Sequence, residues 1–428
     1  MVLMYSRWVS RARMSIDDLR AGPLRSGARR SPLIPGILPV ASRPEKRVVP
    51  SGRPGALPAP PGAVAGGGGP AAESSGMSIL DDPRQWKARD PSGMLGIALA
   101  LPRQVREGWA LGRSARVPRL AEAPQHLVVC GMGGSAIAGD LLAGYLAPTC
   151  PIPIALVRGY ELPGFVGPRS IVAAVSYSGA TEETLAAVLQ AERAGATVFA
   201  ITSGGSLAQA AERGGVLVPG GLAPRAALGY LMLPLLAALE RWKLVEPCGK
   251  EVEAAAEALD TLAGDCAPDV PTLRNPAKRL AEQLAGRVPA VYAASPWLEA
   301  AARRWKCQFN ENSKTLATWS VFPELNHNET VGWGAPPELA GRFAVVMLLD
   351  GAEPARLAQR IRLTTDLALG PAADVHEVRA RGTGRLARLL SLVSMGDLVS
   401  VYLAYLRGID PTPVEIIATI KQKLHEVR

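Results

Sequence analysis

The sequence predicts an α/β protein built from two halves, each a parallel sheet flanked by helices. Three observations predict it. Short apolar runs of strand length alternate with helical segments from about residue 93 to the C-terminus. Each of the first three runs ends in a loop of Gly, Ser and Thr. A second alternation of similar length follows a connector over 246–272 that holds Pro247, Gly264, Pro268 and Pro271. Short apolar strands separated by helices form βαβ units, whose parallel sheet is covered on both faces.

A helical opening over about 93–111 precedes the first strand, 127–130, which runs into Gly131-Met132-Gly133-Gly134-Ser135 and a helix over 136–146. The unit repeats with a strand at 171–175, the loop Ser176-Tyr177-Ser178-Gly179-Ala180-Thr181 and a helix over 182–194. It repeats again at 197–201, Thr202-Ser203-Gly204-Gly205-Ser206 and 207–213. In parallel sheets, ligands bind at the carboxyl ends of the strands, where all three loops fall. Ala223-Pro224-Arg225 then opens a long apolar helix over 226–242. In the second half, strands are expected at 290–294, 344–349 and 375–378, and helices at 298–308, 354–369, 385–406 and 414–427. The last helix carries Val414, Ile417, Ile420 and Leu424 along one stripe, so it is expected to pack against the body.

The composition bounds the function. Of 428 residues, 48% are hydrophobic, enough for a large core. The net charge of +9 hints at an anionic partner, but its location decides. Residues 1–76 hold 11 Lys and Arg against 4 Asp and Glu, which leaves 36 against 34 in the rest. The body is near neutral, so no basic surface for nucleic acid follows from the total. Residues 1–76, rich in Pro, Gly and Arg, read as a disordered leader, an organellar targeting segment, or sequence upstream of a true start at Met77. Nothing in them has the continuous apolar stretch of a secretory signal or membrane span. Five dispersed cysteines without a Cys-x-x-Cys pair read as free thiols in a reducing compartment, the cytoplasm. With only four histidines and no metal-ligand spacing, no metal site is expected.

The loops suggest phosphate. Backbone N–H groups at helix N-termini and small hydroxyls supply the short hydrogen bonds a phosphate needs, and glycine lets the backbone approach it. The competing reading is that Ser and Thr only cap helices; several hydroxyls in 176–181 favour phosphate. A dinucleotide site at 131–136 is disfavoured, because Ala136 stands where the third glycine belongs and 152–158 offers no acidic residue for a ribose. No G-x-x-x-x-G-K-[ST] loop is present either. Arg225 sits at a helix start, where a cation is unfavourable unless it pairs on the surface or helps hold an anion. The densest polar cluster spans 306–329, with Glu311, Glu324 and His327 among amides. From residues alone, His327 between Asn326 and Asn328 is open to both a loop role and a catalytic one.

These blocks resemble the bifunctional phosphoglucose/phosphomannose isomerase family of the sugar isomerase (SIS) superfamily. The similarity lies in Gly131–Ala136, Ser176–Thr184, Ala223–Ala227, Phe322–Glu329 and Ser394–Leu403, and runs from about Met77 to the C-terminus. The Gly/Ser loops are common to the superfamily, whereas Pro323-Glu324-Leu325-Asn326-His327-Asn328-Glu329 is particular. The resemblance implies two SIS-type domains of flavodoxin-like three-layer αβα form, over 77–265 and 266–428. It implies that Ser176, Ser178 and Thr181 hold the phosphate and that Gly133, Gly134 and Ser135 form the adjoining loop. Glu311 would move the proton between C1 and C2, His327 would assist ring opening, and Arg225 would stabilise the enediolate. Lys421, or alternatively Lys423, would complete the site from the last helix. It further implies a homodimer in which His327 acts across the interface, a hexose 6-phosphate as substrate, and no nucleic acid or membrane partner. Ala180 stands where family members commonly have Asn.

The chemistry fits that inventory. One carboxylate can take a proton from C2 and return it to C1 through a cis-enediol, a second acid/base opens the ring, and a fixed cation meets the enediolate. No cofactor is required. Mannose 6-phosphate passes through the same enediol, and Asp410-Pro411-Thr412-Pro413 is expected to wall the space near C2. Two alternatives stand beside this reading: a sugar-phosphate sensor without catalysis, and a SIS isomerase of another sugar phosphate.

Overall fold

The computed structural model describes residues 78–370 and 373–426, so the basic leader expected over 1–76 lies outside the described residues. Among the described residues, nine strands form two all-parallel sheets. The first contains β1 (His126–Cys130), β2 (Ile154–Val157), β3 (Ser170–Val175), β4 (Thr197–Thr202) and β5 (Gly215–Leu217), in the order β2-β1-β3-β4-β5. The second contains β6 (Val288–Ala293), β7 (Thr318–Val321), β8 (Phe343–Leu349) and β9 (Asp374–Arg379), in the order β7-β6-β8-β9. Register runs through the sheet centre, with Val128 opposite Val172 and Ala173 opposite Phe199. Every residue of β3 is buried, which explains its unbroken apolar run.

The expected α/β class holds in both halves. The helical opening expected over 93–111 is two helices, Met94–Leu99 and Leu101–Ser114. Pro102 accounts for the break, since it lacks an N–H and is tolerated only in the first turn of a new helix. The helix expected over 354–369 is α-helical over Ala355–Thr364 and widens to a π turn at Thr365–Leu369.

The helices Leu228–Arg241 and Arg385–Leu406 are almost entirely buried and join both sheets into one apolar core, which includes Leu127 and Ile171 with Val291 and Val346. By length and composition the 22-residue helix Arg385–Leu406 could cross a membrane, yet nearly all of it lies inside the protein. It is a core helix. All five cysteines are free.

One expectation is overturned. The last helix, Glu415–Glu426, does not pack its stripe against the body: Ile416, Ile417, Ile420 and Leu424 are all exposed. Periodicity reports that a helix has an apolar face and is silent on what covers it.

Candidate active site

In the first sheet the chain leaves β1 toward β2 on one side and β3 on the other, so the order reverses between β1 and β3. The crevice beyond the strand ends at such a reversal is where open α/β sheets bind ligands. The two loops there are 131–135 after β1 and 176–181 after β3. They touch through the Ser135 hydroxyl, which accepts the Tyr177 N–H at 3.1 Å.

Within the second loop, the Ser176 and Thr181 hydroxyls lie 2.8 Å apart, and Ser176 Oγ accepts the Gly179 N–H at 3.1 Å. Thr181 is the residue before the helix Glu182–Arg193, yet its side chain makes no capping bond. The capping account of these hydroxyls therefore fails at the position where it should hold. Gly179 has φ +65°, and a Cβ there would fall 1.8 Å from the Gly204 carbonyl oxygen, so only glycine fits. Ser178 is exposed at the loop tip.

Gly133 and Gly134 begin the helix Gly133–Leu146. A Cβ on Gly134 would lie 2.7 Å from the Arg225 backbone, so the glycine lets the loop after β1 abut the turn that carries Arg225. That turn is the 3₁₀ segment Pro224–Ala226, and Arg225 is only 4% exposed. Of the two roles left open for Arg225, a surface pair is overturned, because the guanidinium is buried and engaged on its Nε and Nη2 sides. Its Nε donates to Asn312 Oδ1 at 2.7 Å, and Nη2 donates to the carbonyls of Pro411 and Thr412, both at 2.9 Å. Nη1 faces Glu311 Oε2 at 3.5 Å. Burial pushes the Arg225 guanidinium below its ordinary value, and the Glu311 carboxylate counters that shift. An arginine remains charged through such a shift.

Glu311 ends the helix Glu299–Glu311 with its side chain 27% exposed, reachable by a substrate and within range of the buried cation. The Lys314 ammonium donates to the carbonyls of Glu311, Asp410 and Pro411, pinning the 410–412 segment from the other side. Behind Arg225 lies a polar network that sequence reasoning missed. Arg304 forms a two-pronged pair with Asp397 at 2.9 and 2.7 Å and donates a further bond at 2.8 Å to the Arg225 carbonyl. A lone carboxylate inside the apolar run 386–405 was the available signal, since a buried charge needs a partner.

Gly133, Gly134, Ser135, Ser176, Ser178, Thr181, Arg225 and Glu311 thus form one continuous set of contacts and adjoining loop positions. Two expected residues stand apart. His327 is exposed on the 3₁₀ turn Glu324–His327, and no hydrogen bond or ion pair among the described residues ties it to Arg225 or Glu311. Lys421 and Lys423 are both exposed on the last helix. A cleft of about 790 Å³ does connect that helix to Glu311, but its walls include Leu316, Val414, Ile416 and Ile417.

The second sheet reverses likewise between β6 and β8. There the Glu353 carboxylate accepts the N–H groups of Asp350 and Gly351, donors that a phosphate would need. The fold repeats the crevice, and in this copy a carboxylate occupies the backbone donors.

Comparison with known proteins identifies the family. Residues 273–424 match the family model of the bacterial phospho-glucose isomerase C-terminal SIS domain. A bifunctional phosphoglucose/phosphomannose isomerase of Caldicellulosiruptor bescii is 43% identical over 331 residues, covering 77% of this chain and 98% of the relative. Another from Aquifex aeolicus is 36% identical, covering 70% of this chain and 90% of the relative. A solved structure, a glucose-6-phosphate isomerase like protein from Thermus thermophilus, superposes with a TM-score of 0.54 at 26% identity, covering 78% of this chain and 98% of that one. The chain belongs to the bifunctional phosphoglucose/phosphomannose isomerase family.

Proposed function

We propose that the protein interconverts glucose 6-phosphate, mannose 6-phosphate and fructose 6-phosphate through a cis-enediol. The observation that carries this reading is the contact chain from the hydroxyl-lined crevice at β1 and β3, through Gly134, to Arg225 and Glu311. It supports the reading by joining a loop of hydroxyls and glycines to one carboxylate and one fixed cation, the inventory the reaction needs.

In the proposed cycle Ser176, Ser178 and Thr181 hold the phosphate, and Gly133, Gly134 and Ser135 line the adjoining loop. His327 assists ring opening. Glu311 removes the C2 proton, the electron pair forms the C1–C2 double bond as the C1=O1 π pair moves onto O1, and O1 takes the O2 proton. Arg225 meets the resulting charge on O2. Glu311 then delivers its proton to C1 as O2 becomes the ketose carbonyl. Lys421 or Lys423 approaches from the last helix. Five unpaired thiols suit the reducing cytoplasm.

Purified protein offered glucose 6-phosphate and mannose 6-phosphate separately is expected to form fructose 6-phosphate from each. No turnover of either by folded protein ends the isomerase reading, and turnover of glucose 6-phosphate alone ends dual specificity.

The working unit we propose is a homodimer with His327 supplied across the interface. Two observations support it: His327 is exposed with no bond to Glu311 among the described residues, and the last helix carries an exposed apolar stripe. Glu311→Gln and His327→Ala are each expected to be inactive alone. Co-refolded in equal amounts they should regain about a quarter of wild-type activity, because half the dimers are mixed and each holds one intact site. No recovery from mixed dimers would place His327 within its own subunit's site.

A further inference from the structure

We infer that Asn312 is a positioning residue that aims the Arg225 guanidinium at the reacting carbons, an assignment that rests on the isomerase reading above. A guanidinium has five N–H donors in a rigid plane. Nε is taken by Asn312 and both Nη2 protons by Pro411 and Thr412. Only the Nη1 corner is left, and at 3.5 Å its contact with Glu311 is too long for a strong bond. Nη1 is therefore the edge offered to a substrate oxygen, and the carboxylate beside it is the one that handles the proton.

Asn312 sets that edge because its own amide has no freedom. It is 1% exposed, and its Nδ2 donates to Ser400 Oγ at 2.9 Å. Ser400 in turn donates to the Asp397 carbonyl at 2.7 Å. With the nitrogen committed to Ser400, the amide oxygen must face Arg225. The backbone N–H of Asn312 bonds to the Gln308 carbonyl at 2.8 Å, closing the helix whose last residue is Glu311. One residue thus holds both the base and the cation, in line with the demand that reacting groups be fixed before the substrate arrives.

A residue that merely joined the two halves would lose stability when replaced, without changing what the site discriminates. The test separates these roles by binding, which needs no turnover. Two probes are used: a five-carbon aldonate 5-phosphate, whose carboxylate imitates the enediolate, and hexitol 6-phosphate, which lacks that charge. Asn312→Ala should weaken aldonate binding about a hundredfold and hexitol binding less than about threefold, with kcat falling about as far as aldonate affinity. Ser400→Ala frees the amide while keeping its oxygen, and should give a smaller loss of the same selective kind. It also carries the test if Asn312→Ala does not fold. Equal loss of both probes, or no loss of either, overturns the assignment. If the wild type binds the aldonate selectively but turns over no hexose phosphate, the isomerase reading fails and the aim at reacting carbons goes with it, whereas loss of aldonate selectivity in Asn312→Ala alone tests Asn312.

Discussion

Replacing Glu311 with glutamine is expected to abolish exchange of the C2 proton with solvent and to lower kcat by roughly 10²–10⁴-fold, the range that one positioned general base supplies. Substrate affinity should change little, since Glu311 does not touch the loops 131–135 and 176–181 proposed to hold the phosphate. The substitution keeps the side chain's size and an oxygen facing Nη1. It also removes a negative charge from beside a buried cation, so collapse of the site is the competing explanation for lost activity. The surroundings of Arg225 argue against collapse: three bonds of 2.7–2.9 Å to Asn312, Pro411 and Thr412 survive the change. Asp397 and Asp410 also remain to favour its charge. Proton exchange followed by NMR, alongside a direct binding measurement, separates the two. Exchange at the wild-type rate would remove Glu311 from its role. Loss of exchange together with loss of binding would mean that the carboxylate matters chiefly as a partner for Arg225.

The parts of the fold legible in the sequence are those where one physical demand dominates. Central strands are buried on both faces, so β1, β3, β4, β6 and β8 stand out as apolar runs. The strands that sequence reading missed, β2, β5 and β7, are all sheet edges of three or four residues. β7 reads Thr-Trp-Ser-Val with no buried position, and β5 has only two buried residues. An edge with one open side leaves no continuous apolar signature. The site divides similarly. Loops 131–135 and 176–181 are legible because small hydroxyls and glycines cluster at strand ends, a local pattern. Asn312, Arg304 and Asp397 acquire their roles from partners about 80–90 positions away, a pairing that no local window contains. The last helix shows the same limit, since its stripe was read correctly and its surroundings were not.

Removing the Asp397 carboxylate is expected to destabilise the protein by about 3–5 kcal/mol, the cost of leaving a buried charge without its partner. Arg304 is 2% exposed and Asp397 6%, so water cannot take over from the lost carboxylate. Gln308, which donates to Asp397 at 2.8 Å, would be orphaned as well. Asp397→Ala should therefore show a large fall in its denaturation midpoint; an unchanged midpoint would mean the pair is not sealed from solvent. The informative partner is the double variant Arg304→Met with Asp397→Leu. Buried ion pairs replaced by apolar groups of similar volume often lose no stability, because the desolvation penalty of both charges disappears. The double variant should thus recover most of the lost stability. Activity should not return with it. Arg304 also donates to the Arg225 carbonyl at 2.8 Å, and methionine has no donor to replace that bond. Arg225 would sit on a looser turn, and its free Nη1 would lose its aim. A stable but slow double variant assigns the ion pair to holding the site, whereas a stable and fully active one reduces it to a dispensable feature of the core.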